Sequence, residues 1–584
     1  MGSSTSTALI SAVQVPVTFL SMLEPEGLLW PKQAELTNNT AYDYIVVGGG
    51  SAGCVVSSRL AESGKNTVFM AEAGDDPPII ALVPGLFSLL PGSKFDYNYR
   101  STKDTYAAKG QNYYTTLQAG KMLGGSDTLN HLLHTRGVPS DFDTWAEISK
   151  DSSWKYDNIL QYFIKSERLV DDPILKKYGK YHGTSGPMGI SRQPEDTQVA
   201  NLLKSFAEVG NPSVLDLNAE NTLGYTQPLF MIADKKRQTP AYSYLKNVKT
   251  NSNLFISKNT RVTRIIFEDN KAVAIEAVYN GKTYVFRANK EIIVSAGVYN
   301  TPQILQLSGI GPKEHLEQFN IKVIKDLPVG NNLIDQVAVT LVYKLESHIA
   351  FLPNLADVEL DPTKVPFPVL VGSVALNKTQ TDPDYQTYNL LLGQNTPFLT
   401  IACAQVFDLR DGICDQWQTE VTNRDSLYTV AALLQPKSRG TVRLASTDQS
   451  KAPLIETGYF TNKEDLKTMV KIIKDFTSVS NTKYFKKIGA ELAGLNLDVC
   501  ADKKKGTDEF WECYILNHAG SPYHTVGTCP MGEVLDGQLK VKGVEGLRVV
   551  DASAMPKIPR GAPNAAVIML AEKAADMIKS ANAN

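Results

Sequence analysis

His524 stands in the stretch SPYHTVGTCPMG, residues 521–532, beside a tight Gly-Thr-Cys turn. Imidazole titrates near neutrality without special help, so a histidine held there can take a proton and later release it. A second chemical signal lies almost the whole chain away. Gly48, Gly50 and Gly53 in VVGGGSAG carry the G-x-G-x-x-G spacing around Ser51 and Ala52, and Glu72 ends the next apolar strand. Such glycines give a tight turn, room for a pyrophosphate against the backbone and close helix-to-sheet contact, while the acid accepts from a ribose hydroxyl. The pattern predicts a dinucleotide site, with the phosphate charge at a helix N-terminus. For the other six histidines an ordinary structural role is the reading, with reservations. His518 is near enough to His524 to line the same pocket, the alternative being a surface loop, and His131 and His134 follow a glycine-rich segment of their own.

The elements that must position these residues can be read in three islands. From Tyr42, YDYIVVGGGSAGCVVSSRLAESGKNTVFMAEAG is strand, glycine turn, helix and second strand, a βαβ unit. EIIVSAGVYNTPQILQLSGIGP (291–312) repeats a strand opening at Ala296-Gly297 into a helix, with Thr301 expected to cap it and Pro302 at its first position. LRVVDASAMPKIPRGAPNAAVIMLAEKAADMI (547–578) is a strand ending at Asp551, a proline-rich loop, and a helix apolar around most of its surface, hence buried. At 584 residues the chain exceeds one hydrophobic core. The expected class is α/β (α+β mixed): a Rossmann-like domain from residues 41–140, 255–340 and 535–584, a second domain from 141–254 and 341–534, and an N-terminal segment 1–40.

A formal net charge of -2 gives no electrostatic reason to approach nucleic acid or anionic lipid. No HExxH or paired CxxC occurs, which argues against a metal enzyme, and a serine hydrolase is not expected either. Of six cysteines, Cys54 and Cys529 sit in glycine-rich motifs. Cys403, Cys414, Cys500 and Cys513 form two close pairs, compatible with disulfides 403–414 and 500–513 or with buried free thiols. Sequons at Asn38 and Asn377 lean towards secretion rather than the cytoplasm. The apolar stretch Ala8–Leu23, interrupted by Gln14 and Pro16, is too short to span a bilayer. It reads as a signal peptide or a packed helix, and Met-Gly-x-x-x-Ser meets the loose myristoylation pattern.

Together these islands resemble the glucose-methanol-choline (GMC) oxidoreductase family. Five motifs agree in order: VVGGGSAG, GKMLGGSDTLNHLLHTRG (120–137), GVYNTPQILQLSGIG (297–311), HTVGTCPMG (524–532) and VVDASAMP with its following helix. The resemblance implies an FAD-binding domain, a substrate domain built around an antiparallel sheet, and hydride transfer from an alcohol carbon to flavin N5, with His524 as the base. It places Leu123, Gly124, Gly125, Ser126, Asn130, Val262, Asp551, Ala552 and Asn564 at the cofactor. Some members bond FAD covalently through a histidine just before the signature's Asn; here that position is Leu129, which implies dissociable FAD. The family's second His or Asn, opposite the base, falls on Ala562, leaving Asn564, a neighbouring side chain or a water to replace it. A lost donor of this kind costs about two to four kcal/mol in a transition state. Asp127 and Gln336 also depart from the family's wording.

Phrases such as PGLFSLLPGS (84–93) and YGKYHGTSG resemble insect members of the ecdysone oxidase-like branch. The implied reaction converts a steroid 3-hydroxyl to a ketone, with oxygen as acceptor and hydrogen peroxide as product. A glucose dehydrogenase-like enzyme using a quinone and a small or aromatic alcohol oxidase are the alternatives. From another class, a flavoprotein lyase or a catalytically weakened binding protein is kept open by Ala562.

Overall fold

The computed structural model describes residues 29–194, 197–220, 222–346 and 363–582. The N-terminal apolar stretch, with its signal-peptide, packed-helix and myristoylation readings, lies outside the described residues.

Two seven-stranded sheets organise the chain. Ala41–Val47 pairs in parallel with Val68–Ala71 on one side and with the end of Lys282–Val294 on the other. These segments are short apolar runs buried on both faces, the pattern a covered parallel sheet requires. Lys282–Val294 changes partners along its length: its first half pairs antiparallel with Lys271–Tyr279, its last residues pair parallel with Leu547–Val549. Leu254–Ser257 and Thr260–Glu268 form the sheet's two edges. The glycine-loop helix Ser51–Ala61 packs against the final helix Asn564–Ala581, joined by buried Glu572, which accepts from Arg59 Nη2 at 2.7 Å and Tyr244 Oη at 2.8 Å.

The second sheet is antiparallel throughout, in the order Glu491–Leu492, Ala338–Lys344, Ser426–Leu433, Tyr385–Leu392, Val369–Val374, Gly224–Thr226. Ala519–Gly520, immediately before the His524 segment, pairs with Ala338–Lys344. This is the expected class, a discontinuous Rossmann-like domain with an antiparallel-sheet domain inserted into it. Ala338–Lys344 straddles residue 340, and Leu254–Ser257 begins one residue before 255, so neither position is a loop between sheets.

One element differs from its sequence reading. The helix expected to begin at Pro302 spans Gly297–Leu307, with Pro302 inside it. Proline cannot donate to the carbonyl four residues back, which here is Val298. The hydroxyl of Thr528 fills that vacancy, donating to Val298 O at 2.7 Å. Thr301, expected as a cap, instead accepts from Ala296 N at 3.1 Å and donates to Asp551 Oδ2 at 2.6 Å. Cys403–Cys414 and Cys500–Cys513 are disulfides, and Cys54 and Cys529 are free and buried. No described helix is long and apolar enough to cross a membrane.

Candidate active site

A cleft of about 360 Å³ runs between the two sheets. One end is the glycine loop. Gly48 has φ +101°, and a Cβ on Gly53 would stand 1.9 Å from Gly48 O, so the helix can meet the loop only without a side chain there. Gly48, Gly50, Ser51 and Ala52 line the cleft, and helix Ser51–Ala61 has no side-chain cap at its N-terminus. Glu72 lines the same end, its carboxylate accepting from Gly49 N and Gly74 N at 2.7 Å each. Burial pushes its carboxyl up to about 7 against those two bonds. Val262 lines this end from an edge strand.

Farther along stand Gly125, Ser126, Asn130, Asp551 and Ala552. Leu123 and Gly124 lie behind the wall: Leu123 is fully buried and Gly124 N donates to Gly49 O at 2.8 Å. Asp551 receives Gly297 N, Thr301 Oγ1, Ser553 N and Ser553 Oγ, so it ties its own loop to the start of helix Gly297–Leu307 beside the cleft. Asn130 is tied to its own loop, Nδ2 donating to Asp127 Oδ1 at 3.0 Å and Oδ1 accepting from Arg237 Nη1 at 3.0 Å. Arg237 is fully buried and holds the 127–130 loop in place, and burial pulls its guanidinium down to about 9. It stands in the polar run DKKRQTP, where nothing local marks it out. Asp127 is buried with its carboxyl pushed up to about 6 by burial, and its Oδ2 has no protein partner.

His524 occupies the junction where the cleft turns from polar to apolar. The stretch it heads is clamped on both sides: Val526 exchanges backbone bonds with Ile334, and Gly527 N and Cys529 N donate to Ala552 O and Ser553 O. Gly527 has φ +92°, and a Cβ there would meet Asn332 O at 2.7 Å. These bonds, with the Thr528 hydroxyl on Val298, explain the Gly-Thr turn beside the histidine. Buried Asp335 anchors the backbone, accepting from His524 N at 3.2 Å, Ser521 Oγ at 2.6 Å and Tyr459 Oη at 2.5 Å. The imidazole Nδ1 lies 2.8 Å from Gln336 Oε1. Burial, with a smaller contribution from His131, pushes its pKa down to about 3, so the ring is neutral at physiological pH.

Beyond His524 the cleft is aromatic and aliphatic, with Phe87, Phe230, Phe367, Phe398, Phe407 and Tyr428 on its walls. Tyr388 and Leu390, alternate residues of Tyr385–Leu392, share one face towards it. His131 lines this part; its Nε2 has no protein partner, and burial lowers its pKa to about 4. Ala562 presents only a methyl group, its backbone N donating to Thr135 Oγ1 at 2.8 Å. Asn564 spends its Nδ2 on Leu133 O and Met231 Sδ and has an unpartnered Oδ1.

Two of the histidines singled out in the sequence, His518 and His134, are not in the cleft. His518 ends helix Asp508–His518 fully buried, stacked on Tyr514 and Trp417 with Nδ1 on Tyr514 O at 3.0 Å; it is a core histidine, neither a pocket residue nor a loop residue. Its sequence neighbourhood misleads because the helix packs its ring into the core, while the strand Ala519–Gly520, paired with Ala338–Lys344, lies between it and His524. His134 packs into a buried cluster with Glu167, Arg136 and His182.

The fit to a flavin dinucleotide can be tested on these atoms. Ser295 Oγ, Asp127 Oδ2, Arg261 Nε and Gln449 Oε1 all belong to cleft residues, are buried, and have no protein partner. Native interiors leave few polar atoms so placed. A glycine cradle at an uncapped helix N-terminus, an acid beside it and orphaned polar atoms along the wall suit a long polar ligand with a pyrophosphate. The residues present fit FAD.

The fold and cleft are those of a flavin-dependent alcohol oxidoreductase. The family model for GMC oxidoreductases matches residues 42–338 and 436–571, and the chain belongs to that family. It is 37% identical to the ecdysone oxidase of Bombyx mori over 95% of this chain and 84% of that one. Identity to the glucose dehydrogenase (FAD, quinone) of Drosophila melanogaster is 32%, over 92% and 87%. Among solved structures, the formate oxidase of Aspergillus oryzae superposes with a TM-score of 0.78 at 26% identity, covering 94% of this chain and all of that one. The protein is an FAD-dependent oxidoreductase acting on a CH–OH donor.

Proposed function

We infer that the enzyme oxidises a secondary hydroxyl of a bulky apolar alcohol, an ecdysteroid 3-hydroxyl, to the ketone, reducing oxygen to hydrogen peroxide. The observation that carries this reading is a neutral buried histidine where a polar cofactor-shaped cleft meets an aromatic one. Bound FAD supplies the hydride acceptor. His524 takes the hydroxyl proton, which an imidazolium could not do, and burial keeps it unprotonated. The aromatic walls hold a fused-ring alcohol and exclude water, whereas a sugar would call for more donors than Phe87, Phe230, Phe367 and Phe407 offer. Similarity to the ecdysone oxidases of Bombyx mori and Spodoptera littoralis supports the same substrate class.

In the same cleft, Asn564 has only an acceptor left. His131, neutral with an unpartnered Nε2, and Tyr428, whose hydroxyl is likewise unpartnered, are cleft side chains able to bond the substrate oxygen in place of the donor lost at Ala562. Leu129 offers no nucleophile, so the cofactor is held without a covalent bond at that position. Two disulfides and exposed sequons at Asn38 and Asn377 favour a secretory route.

The test is anaerobic mixing of the holoenzyme with ecdysone, glucose and an aromatic alcohol in turn, following flavin absorbance. Bleaching by ecdysone with recolouring in air supports the proposal. Bleaching by glucose alone, with recolouring by a quinone and not by air, would replace it with the dehydrogenase reading.

A further inference from the structure

Gln336 is fully buried, and both ends of its amide are committed. Its Nε2 faces three main-chain carbonyls: Pro559 O at 3.0 Å, Gly561 O at 3.3 Å and Leu434 O at 3.4 Å. Its Oε1 faces His524 Nδ1 at 2.8 Å. An amide can in principle be turned end for end, but here the reverse orientation would set an oxygen against three carbonyl oxygens. The carbonyls therefore fix which end meets the histidine. An oxygen at that place can only accept, so Nδ1 must carry the hydrogen and the lone pair of the neutral ring lies on Nε2.

We propose that Gln336 is a positioning residue that sets the tautomer of His524, fixing Nε2 as the basic nitrogen. This inference rests on the reading of His524 as the base. An amide suits the task better than a carboxylate would. A negative charge on Nδ1–H would stabilise the imidazolium and raise the pKa of the base, whereas a neutral acceptor orients the ring and leaves it unprotonated. The same amide ties the base to the Pro559–Gly561 loop that delivers Ala562 and the final helix. Asp335, the preceding residue, fixes the backbone of His524 while Gln336 fixes its ring.

The direct readout needs no substrate. In holoenzyme labelled with 15N-histidine, the His524 resonances, assigned by their loss in His524→Ala, should show a protonated Nδ1 and a lone-pair Nε2. Gln336→His keeps one donor for the carbonyls and one acceptor for His524, so it should retain that tautomer and reduce its flavin at a rate within a few-fold of wild type. Gln336→Leu should give a tautomer mixture and slow flavin reduction by an alcohol about 10- to 100-fold, with substrate affinity unchanged. A wild-type His524 protonated on Nε2 overturns the proposal. So does a Gln336→Leu enzyme with wild-type tautomer and rate. Should Gln336→Leu fail to retain FAD, the comparison of wild type with Gln336→His decides. A wild-type flavin that no alcohol reduces would sink the functional reading while leaving the tautomer measurement intact, so the two failures are distinguishable.

Discussion

Thr528 is expected to act on stability through a carbonyl 230 residues away in sequence. Its hydroxyl, fully buried, satisfies the Val298 carbonyl that Pro302 leaves without a helical donor. Thr528→Val keeps the shape and removes the bond, so a buried acceptor is left unsatisfied at a cost of about 1–3 kcal/mol. Pro302→Ala supplies an N–H four residues after Val298, the donor an ordinary helix would have used. The loss from Thr528→Val should then be smaller in the Pro302→Ala background by about 1 kcal/mol or more, a coupling the four-protein cycle measures directly. The assay is guanidinium unfolding at fixed protein and FAD concentration, read by flavin fluorescence, because ligand excess otherwise shifts the midpoint. Equal losses in the two backgrounds would refute the reasoning, since they would show that the hydroxyl does not stand in for the missing N–H.

His518→Phe should change stability in a pH-dependent way. Burial holds the folded-state pKa near 4 against an ordinary 6.5, so between those values the unfolded chain binds a proton that the native one refuses. Stability from this group is therefore lost as pH falls below about 6.5, by about 2 kcal/mol at pH 5, and the variant should gain that much on wild type between pH 8 and pH 5. A stability gap independent of pH would show that the ring is not buried neutral. Asn377 is exposed in a turn, its Oδ1 accepting from Thr379 N at 3.1 Å and Oγ1 at 2.9 Å, so protein made through a eukaryotic secretory route should carry a glycan there. Glycosidase treatment that leaves the mass of Asn377→Gln and wild type shifting by the same amount would contradict this.

Much of the architecture was legible because its elements announce themselves locally. Apolar strands ending at glycine turns, from Tyr42 to Glu72 and again near Ala296, need only short-range pattern, and the five motifs in order carried the family. What was not legible depends on contacts between distant segments. Pro302 looked like a helix start because its compensating donor, Thr528, is supplied by another motif. His518 looked like a neighbour of His524, although its ring is packed into the core on Tyr514 and Trp417. Gln336 had no functional account in sequence, since its meaning lies in carbonyls of residues 434, 559 and 561 converging on one amide. Arg237 carries no local mark in its polar run, and only its burial against residues 127–130 shows it supporting the cofactor side of the cleft.

The most direct test of the central claim is anaerobic stopped-flow reduction of the bound flavin by an alcohol substrate, in wild type and in His524→Ala. Removing the base should leave FAD bound in wild-type proportion and slow its reduction by about 10²- to 10⁴-fold. Reduction of the His524→Ala flavin at the wild-type rate would contradict the account and move the search for the proton acceptor elsewhere in the cleft.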